Sequence, residues 1–294
     1  MVSYEKNVNC RGNGYGQRPS FAYGPSPMIV GVIKQRTPKE AIAEIKNGEV
    51  NGARGFDLHL ACLDEEYRNV ESIRQIVNAT DKPILALNYN NGYFGNLNMT
   101  EEERTGLLMA AVDAGAAAVD IQGYSFDIDA KSGFVDDEWI PEGLEFLKEH
   151  RAKEVALKPE VLEKQKAFIR EVHEKGAEVL ASIHTGVHLN FEQLKALATF
   201  AHDVKGADIV KMVTPCETEE QLGECISSVI RLKKELDFPF SYHASGKLGH
   251  KSRMICPMLG SHIMFCNVEY GYASDMEQLH LGSMTEAYRR MGII

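Results

Sequence analysis

The sequence predicts an α/β fold, a (β/α)8 TIM barrel that forms a single domain. Eight short apolar runs alternate with helical stretches along the chain, which is typical of a parallel sheet. Eight is also the number of strand-helix units that closes a barrel, and barrels of about 250 residues fold as one domain. An open, doubly wound sheet is the alternative. It would normally carry a glycine-rich phosphate-binding turn after an early strand, and the sequence has no such turn.

The predicted elements begin after an irregular N-terminal arm. Residues 1–26 are rich in Gly, Pro, Asn and Tyr, and residues 27–294 are assigned to the barrel. Helix starts are marked by a capping residue with acidic residues after it, as at Thr37, Thr100 and Thr218. The predicted strands cover residues 28–33, 55–61, 83–89, 116–123, 177–186, 206–213, 239–245 and 261–268. Further helices are predicted over about 65–78, 159–175, 191–204 and 275–290.

Residues 124–158 form a long connection after the fourth strand. They exceed the usual length of a loop between a strand and a helix and contain Trp139, the single tryptophan. The segment is interpreted as an insertion into the barrel, either an extra helix with a lid or a surface loop.

Composition and charge exclude several classes of function. The net charge is −10 without a basic run, so no nucleic-acid or anionic membrane partner is expected. No apolar segment approaches the roughly 20 residues that span a bilayer, and the N-terminus lacks the apolar core of a signal peptide. The cysteines form no CxxC pair, which favours reduced thiols in a cytoplasmic protein: Cys10, Cys62, Cys216, Cys225, Cys256 and Cys266.

Polar residues collect near the carboxyl ends of five predicted strands, where barrel enzymes keep their active sites. Because side chains alternate between the two faces of a strand, those on one face can be read from the sequence. Each residue alone is more simply explained as a buried hydrogen-bonding group. The groupings are Asp57 with His59, Asn88 with Ala86, Asp120 with Gln122, Ser182 with His184, and Lys211 with Ile209 and Val213.

Lys211 lies in the middle of an apolar strand. A buried ammonium is costly, and a buried lysine commonly becomes a neutral amine that attacks carbonyl carbons. A lysine that reaches solvent from the strand or pairs with a carboxylate is the structural alternative. If the barrel closes, His184 lies on the neighbouring strand, and a histidine beside an imine-forming lysine can shuttle protons.

Three segments of the chain resemble the type I 3-dehydroquinate dehydratase family. Ala181–Thr185 resembles its histidine strand, Gly206–Lys211 its lysine strand, and Ser245–Arg253 its Met-Gly-x-x-Gly-x-x-Ser-Arg segment, with serine in place of methionine. The resemblance implies that Lys211 forms an imine, that His184 transfers protons and that Arg253 binds a substrate carboxylate. Ser274 and Gln278 keep the spacing of the loop that closes over the substrate in that family. Arg253 could also belong to a solvated basic face, and Ser274 could simply begin the last helix.

The chain departs from this family pattern in its first half. Asp57, His59 and Ala61 stand where the family has Glu-x-Arg-x-Asp, and Asn88 stands in place of an arginine. The loop 90–93 lacks the glutamate that orients the histidine in the family, and an acidic residue is also usual where Thr185 stands. Asp57, His59 and Asn88 are therefore expected to contact substrate hydroxyls in a changed way. His243 and His280 have no motif support and are interpreted as structural.

The predicted function is a Schiff-base lyase that dehydrates a β-hydroxy ketone carboxylate, either 3-dehydroquinate of the shikimate pathway or a related polyhydroxy keto acid. No metal or organic cofactor is expected, because the lysine imine is itself the electron sink. A homodimer would match the family. The alternatives are a Schiff-base aldolase on a similar substrate, a metal-dependent barrel hydrolase using Asp57, His59 and His184, and a non-catalytic barrel that binds a small acid.

Overall fold

The computed structural model describes residues 19–89, 99–133 and 137–294. Within them, strands and helices alternate in the predicted order. The strands are β1 (Met28–Ile33), β2 (Gly55–His59), β3 (Ile84–Leu87), β4 (Ala118–Gln122), β5 (Glu178–His184), β6 (Ile209–Pro215), β7 (Phe240–Ser245), β8 (Ile263–Asn267) and β9 (Leu279–His280). The helices are α1 (Pro38–Val50), α2 (Val70–Val77), α3 (Glu101–Ala114), α4 (Pro159–Glu174), α5 (Phe191–Thr199), α6 (Glu219–Glu235), α7 (Gly249–Leu259) and α8 (Leu281–Arg290).

The described chain forms two compact units. Unit 1 comprises residues 121–171 and 179–262, and unit 2 comprises the remaining described residues. In unit 1, β5, β6 and β7 pair in parallel and are buried along most of their length. Residues 124–158, the segment between β4 and α4, also belong to unit 1 and contain three short 3-10 turns.

Unit 2 is built on the fully buried strand β1. β2 and β8 pair with β1 on its two sides, β3 pairs with β2, and the first part of β4 pairs with β3, all in parallel. α1 and α8 pack against β1. The predicted caps of α1 and α3 are confirmed, because Thr37 and Thr100 each form a complete capping box with a glutamate three residues later.

The end of the chain differs from its prediction. The last helix begins at Leu281, not near residue 275, and His280 caps it, its Nδ1 accepting the backbone N–H of Ser283 at 3.2 Å. Residues 279–280 instead pair with β8 as the short strand β9. The structural interpretation of His280 is confirmed, whereas Ser274 does not start the helix.

The remaining expectations concern the cysteines, membrane-spanning helices and the domain boundaries. Among the described residues, five cysteines are buried and unbridged, as predicted for reduced thiols. No helix in this part of the chain is long and apolar enough to cross a bilayer. The domain boundaries stay a prediction, and residues 1–18 of the arm and 90–98 of the third loop lie outside the described residues.

Candidate active site

Lys211 lies in the middle of a polar row in unit 1. The register of β5, β6 and β7 pairs it with Ser182 on one side and Ser241 on the other. Paired residues in a parallel sheet point to the same face, so two hydroxyl groups flank the lysine. Both serines are fully buried, and Lys211 is 8% exposed. A primary amine is therefore held in a dry, polar setting, where it can act as a nucleophile.

His184 lies two residues beyond Ser182 on the same face of β5, as predicted. It pairs with Val213, so the predicted neighbourhood of the histidine and lysine strands is confirmed. Its imidazole is held by Glu154, whose Oε2 lies 2.8 Å from Nδ1. The same oxygen accepts the backbone N–H of His184 at 2.9 Å. The histidine that carries the expected proton-transfer role thus has a fixed carboxylate partner.

His243, interpreted from the sequence as structural, lies in the same polar row as Lys211 and His184. It pairs with Val213 and lies on the same face of β7 as Ser241. Burial and the positive charges of Arg253, Lys211 and His184, in that order, lower the pKa of His243 well below its usual range. The imidazole is therefore neutral and lies within electrostatic reach of all three groups. The alternation of Ser241, His243 and Ser245 along the strand could have revealed it.

Arg253 is positioned by the start of α7. The preceding Ser252 is fully buried and ties the helix to β7, because its Oγ accepts the backbone N–H of Ala244 at 2.8 Å and donates to the carbonyl of Gly249 at 2.7 Å. Arg253 is partly exposed and contributes to the lowered pKa of His243. This places a guanidinium within electrostatic reach of His243. In the Ser-Arg pair, the serine thus anchors the helix from which the arginine extends.

In unit 2, Asp57 and His59 share a face at the end of β2, as predicted. The two side chains are both 4% exposed, and His59 Nε2 approaches Asp57 Oδ2 to 3.4 Å. Among the described residues, none forms a hydrogen bond with Asp57 Oδ1. The ring of Tyr89 lies 6.2 Å from that of His59, and its hydroxyl is 3.0 Å from Asp120 Oδ2. A connected polar cluster therefore lines this face of the sheet.

The predicted placement of Asn88 is wrong. The register pairs Asp57 with Leu85 and His59 with Leu87, so these leucines, not Asn88, share the polar face. Asn88 is fully buried and points toward α3, where its Nδ2 donates to the carbonyl of Arg104 at 3.0 Å. The alternation in this short strand was assigned to the wrong face because large apolar residues were expected to pack on helices. Tyr89, two residues beyond the end of β3, is the residue that contacts Asp120 and lies beside His59.

Ser274 and Gln278 lie in the loop between β8 and α8. Ser274 Oγ accepts the backbone N–H of Gly271 at 2.8 Å, so its hydroxyl shapes the loop. Asn267 Nδ2 fixes the loop by donating to the carbonyls of Asp275 and Gln278 at 2.9 and 3.0 Å. Gln278 is 9% exposed, and its Oε1 has no hydrogen-bond partner in the described part of the chain. A buried amide oxygen in this state suits a ligand contact.

A search of residues 19–89, 99–133 and 137–294 finds no group of three His, Cys, Asp or Glu side chains able to hold a metal ion. Asp57 and His59 belong to unit 2 and His184 to unit 1, and each has the partners described above.

Comparisons with known proteins support the resemblance noted in the sequence. The family model for type I 3-dehydroquinase matches residues 151–294. The 3-dehydroquinate dehydratase of Dehalococcoides mccartyi is 27% identical over 243 residues, which cover 81% of this chain and 86% of that protein.

Solved structures extend the likeness to the whole fold. The 3-dehydroquinate dehydratase of Geobacillus kaustophilus superposes with a TM-score of 0.70 at 17% identity, over 92% of this chain and 93% of that one. The type I enzyme of Clostridium difficile gives a TM-score of 0.68 at 14% identity, over 92% and 94%. The (β/α)8 fold class predicted from the sequence is thereby confirmed. The likeness in sequence to the type I 3-dehydroquinase family thus covers residues 151–294 in the family model, and the likeness in fold covers 92% of the chain.

Proposed function

We propose that this protein is a hydro-lyase that dehydrates 3-dehydroquinate, or a closely related polyhydroxy keto acid, through an imine on Lys211. The observation that carries the proposal is the polar row of unit 1. A buried lysine lies between two serines, and on the adjacent strand a histidine is held by a carboxylate. The likeness to type I 3-dehydroquinases supports the choice of substrate class.

The reaction begins with attack of the neutral Lys211 Nζ on the ketone carbon. The carbonyl oxygen leaves as water, and the cationic imine that remains acidifies the neighbouring C–H bond. His184 accepts that proton through Nε2, because Nδ1 faces Glu154, and an enamine forms. The enamine electrons expel the β-hydroxyl, which leaves as water with the proton from His184. Hydrolysis of the imine then restores the amine and releases the unsaturated ketone, so the net change is loss of one water.

Arg253 is proposed to bind the substrate carboxylate, since a guanidinium offers two parallel N–H donors to a planar anion. Its electrostatic reach to His243 supports a position beside the reacting groups. Neutral His243 would then offer one donor and one acceptor to a substrate hydroxyl. The contacts of Asp57, His59, Ser274 and Gln278 with the substrate stay predictions, and we withdraw Asn88 because its amide binds α3. The cytoplasmic location and the homodimer also stay predictions.

Trapping with borohydride tests the proposal. Incubation with 3-dehydroquinate should produce a conjugated product that absorbs in the ultraviolet, and borohydride should reduce the imine to a stable adduct that peptide mass spectrometry locates on Lys211. Lys211→Ala and Lys211→Arg should lower kcat by more than about a thousandfold. Lys251→Ala is the matched control, because Lys251 lies on α7 in an exposed ion pair with Glu219.

Full activity in Lys211→Ala would refute the imine mechanism. An adduct on Lys211 with cleavage of a C–C bond in place of water loss would identify an aldolase. An adduct with another hydroxyketone acid but not with 3-dehydroquinate would show that the substrate has changed while the chemistry is kept.

A further inference from the structure

Glu154 meets His184 through a single carboxylate oxygen. Oε2 lies 2.8 Å from the ring Nδ1 and 2.9 Å from the backbone nitrogen of the same residue. An ionised carboxylate only accepts hydrogen bonds, so Nδ1 must carry the proton. The second bond fixes the carboxylate relative to the backbone of β5, not only relative to the mobile end of the ring. In this tautomer Nε2 carries no proton and can accept one.

The segment that carries Glu154 is fastened at both sides. The backbone nitrogen of Lys153 donates to the carbonyl of Thr185 at 2.7 Å, next to His184 in the chain. Glu154 N donates to the Ala130 carbonyl at 2.8 Å, and Ala156 N to the Gly123 carbonyl at 3.1 Å. The insertion between β4 and α4 is therefore bonded to the residues that end or follow β4 and β5. A carboxylate carried by such a segment has little freedom to move away from the ring.

Two features show that Glu154 adopts an uncommon backbone conformation and packs closely against its neighbours. Glu154 has a φ of +62°, in the left-handed region that costs an L-residue about 1–2 kcal/mol. A Cβ atom on Gly123 would overlap the carbonyl oxygen of Glu154, so the close approach requires glycine at residue 123. Residues other than glycine are uncommon in this conformation, and those that adopt it cluster at functional sites.

We propose that Glu154 is the positioning residue of His184, supplied by the insertion. It holds the Nδ1-protonated tautomer and directs Nε2 to the substrate, and it balances the positive charge that His184 acquires when it accepts a proton. The insertion is thereby part of the catalytic apparatus. The kinetic part of this inference rests on the proposed function, whereas the tautomer does not.

The tautomer is measured by NMR on protein labelled with ¹⁵N in its histidines, with the His184 signals assigned from their loss in His184→Asn. The wild-type protein should show a protonated Nδ1 and an unprotonated Nε2 at neutral pH. Glu154→Ala should shift His184 toward the Nε2-protonated form. A protonated Nε2 in the wild type, or no change in Glu154→Ala, would overturn the inference without any reference to activity.

Kinetics provide the second measurement. Glu154→Gln keeps an acceptor but removes the charge, so kcat should fall about tenfold while KM stays within about twofold. Glu154→Ala should lose about a hundredfold in kcat, with the borohydride adduct on Lys211 still formed. The matched control is Glu149→Gln, an exposed glutamate of the same insertion, which should match the wild type.

Wild-type kcat in both Glu154 variants would contradict the positioning role, as would an equal loss in Glu149→Gln. If the wild-type protein dehydrates neither 3-dehydroquinate nor a related hydroxyketone acid, the proposed function fails on its own. The NMR result then still decides whether Glu154 sets the tautomer of His184.

Discussion

Replacing Glu154 by glycine or alanine should separate the effect of its backbone conformation on stability from the effect of its carboxylate on activity. Both substitutions remove the carboxylate that receives two hydrogen bonds from His184. They differ in how well the new residue accepts the φ of +62° at this position and in the conformational freedom that it loses on folding. Stability should therefore distinguish two variants that activity does not.

The size of the difference follows from the backbone. An L-residue in the left-handed region costs about 1–2 kcal/mol, which glycine avoids. Glycine loses more conformational freedom on folding than alanine does, which destabilises Glu154→Gly by about 0.5–1 kcal/mol relative to Glu154→Ala. The central values of the two ranges give a difference of roughly 0.75 kcal/mol in favour of Glu154→Gly over Glu154→Ala. For a chain of this size it corresponds to a difference in Tm of roughly 1–4 °C.

The assay is paired thermal and urea unfolding of the two variants, with kcat measured on the same preparations. Glu154→Gly should be the more stable of the two, and both should have the same low kcat. Equal stabilities would show that the backbone at residue 154 is not strained. An active Glu154→Gly would show that the carboxylate is dispensable, and the reasoning about the insertion would be refuted.

Two further predictions concern neighbouring positions. Gly123→Ala should lower kcat about as much as Glu154→Ala does, because a methyl group at residue 123 would displace the Glu154 carbonyl. A wild-type kcat in Gly123→Ala would show that the close approach of these two residues does not matter for activity. His243→Gln should flatten the loss of stability in acid. Below about pH 6.5 the unfolded chain binds a proton at His243 that the folded chain, with its lowered pKa, does not bind, so stability falls by up to about 1.4 kcal/mol per pH unit. Urea unfolding of the wild type and His243→Gln from pH 7 to 5 measures how the free energy of unfolding depends on pH. If the two proteins lose stability equally over this range, the prediction is refuted.

The parts of the fold that depend on local sequence could be predicted. Capping residues such as Thr37 and Thr100 act within one helical turn, so their signal lies within four consecutive residues. The polar faces of β2 and β5 also followed from simple alternation. The face of β3 did not, since that strand has four residues and its orientation is set by pairing Leu85 with Asp57. Register is a long-range property that one short strand does not encode.

The site was predicted where a residue carried its own signal and was missed where partners lie far apart in the chain. Lys211 is conspicuous because a lysine interrupts an apolar strand. His243 was overlooked, although Ser241 and Ser245 alternate with it, because no motif singled it out. Glu154 lies 30 residues from His184, in a segment without periodicity, and no local pattern connects the two.

The position of an acceptor relative to the histidine ring matters for proton transfer, whereas its place in the chain does not. The family that the chain resembles has a glutamate after the third strand that orients the histidine, and residues 90–93 of this chain contain none. The structure places a carboxylate at Nδ1 from the segment after the fourth strand instead. A departure from the family motif in one loop is thus compensated by an insertion in the next. Substitutions in the insertion should consequently alter proton transfer at His184 more than imine formation at Lys211, since β6 pairs with β5 and β7 and with no described residue of the insertion.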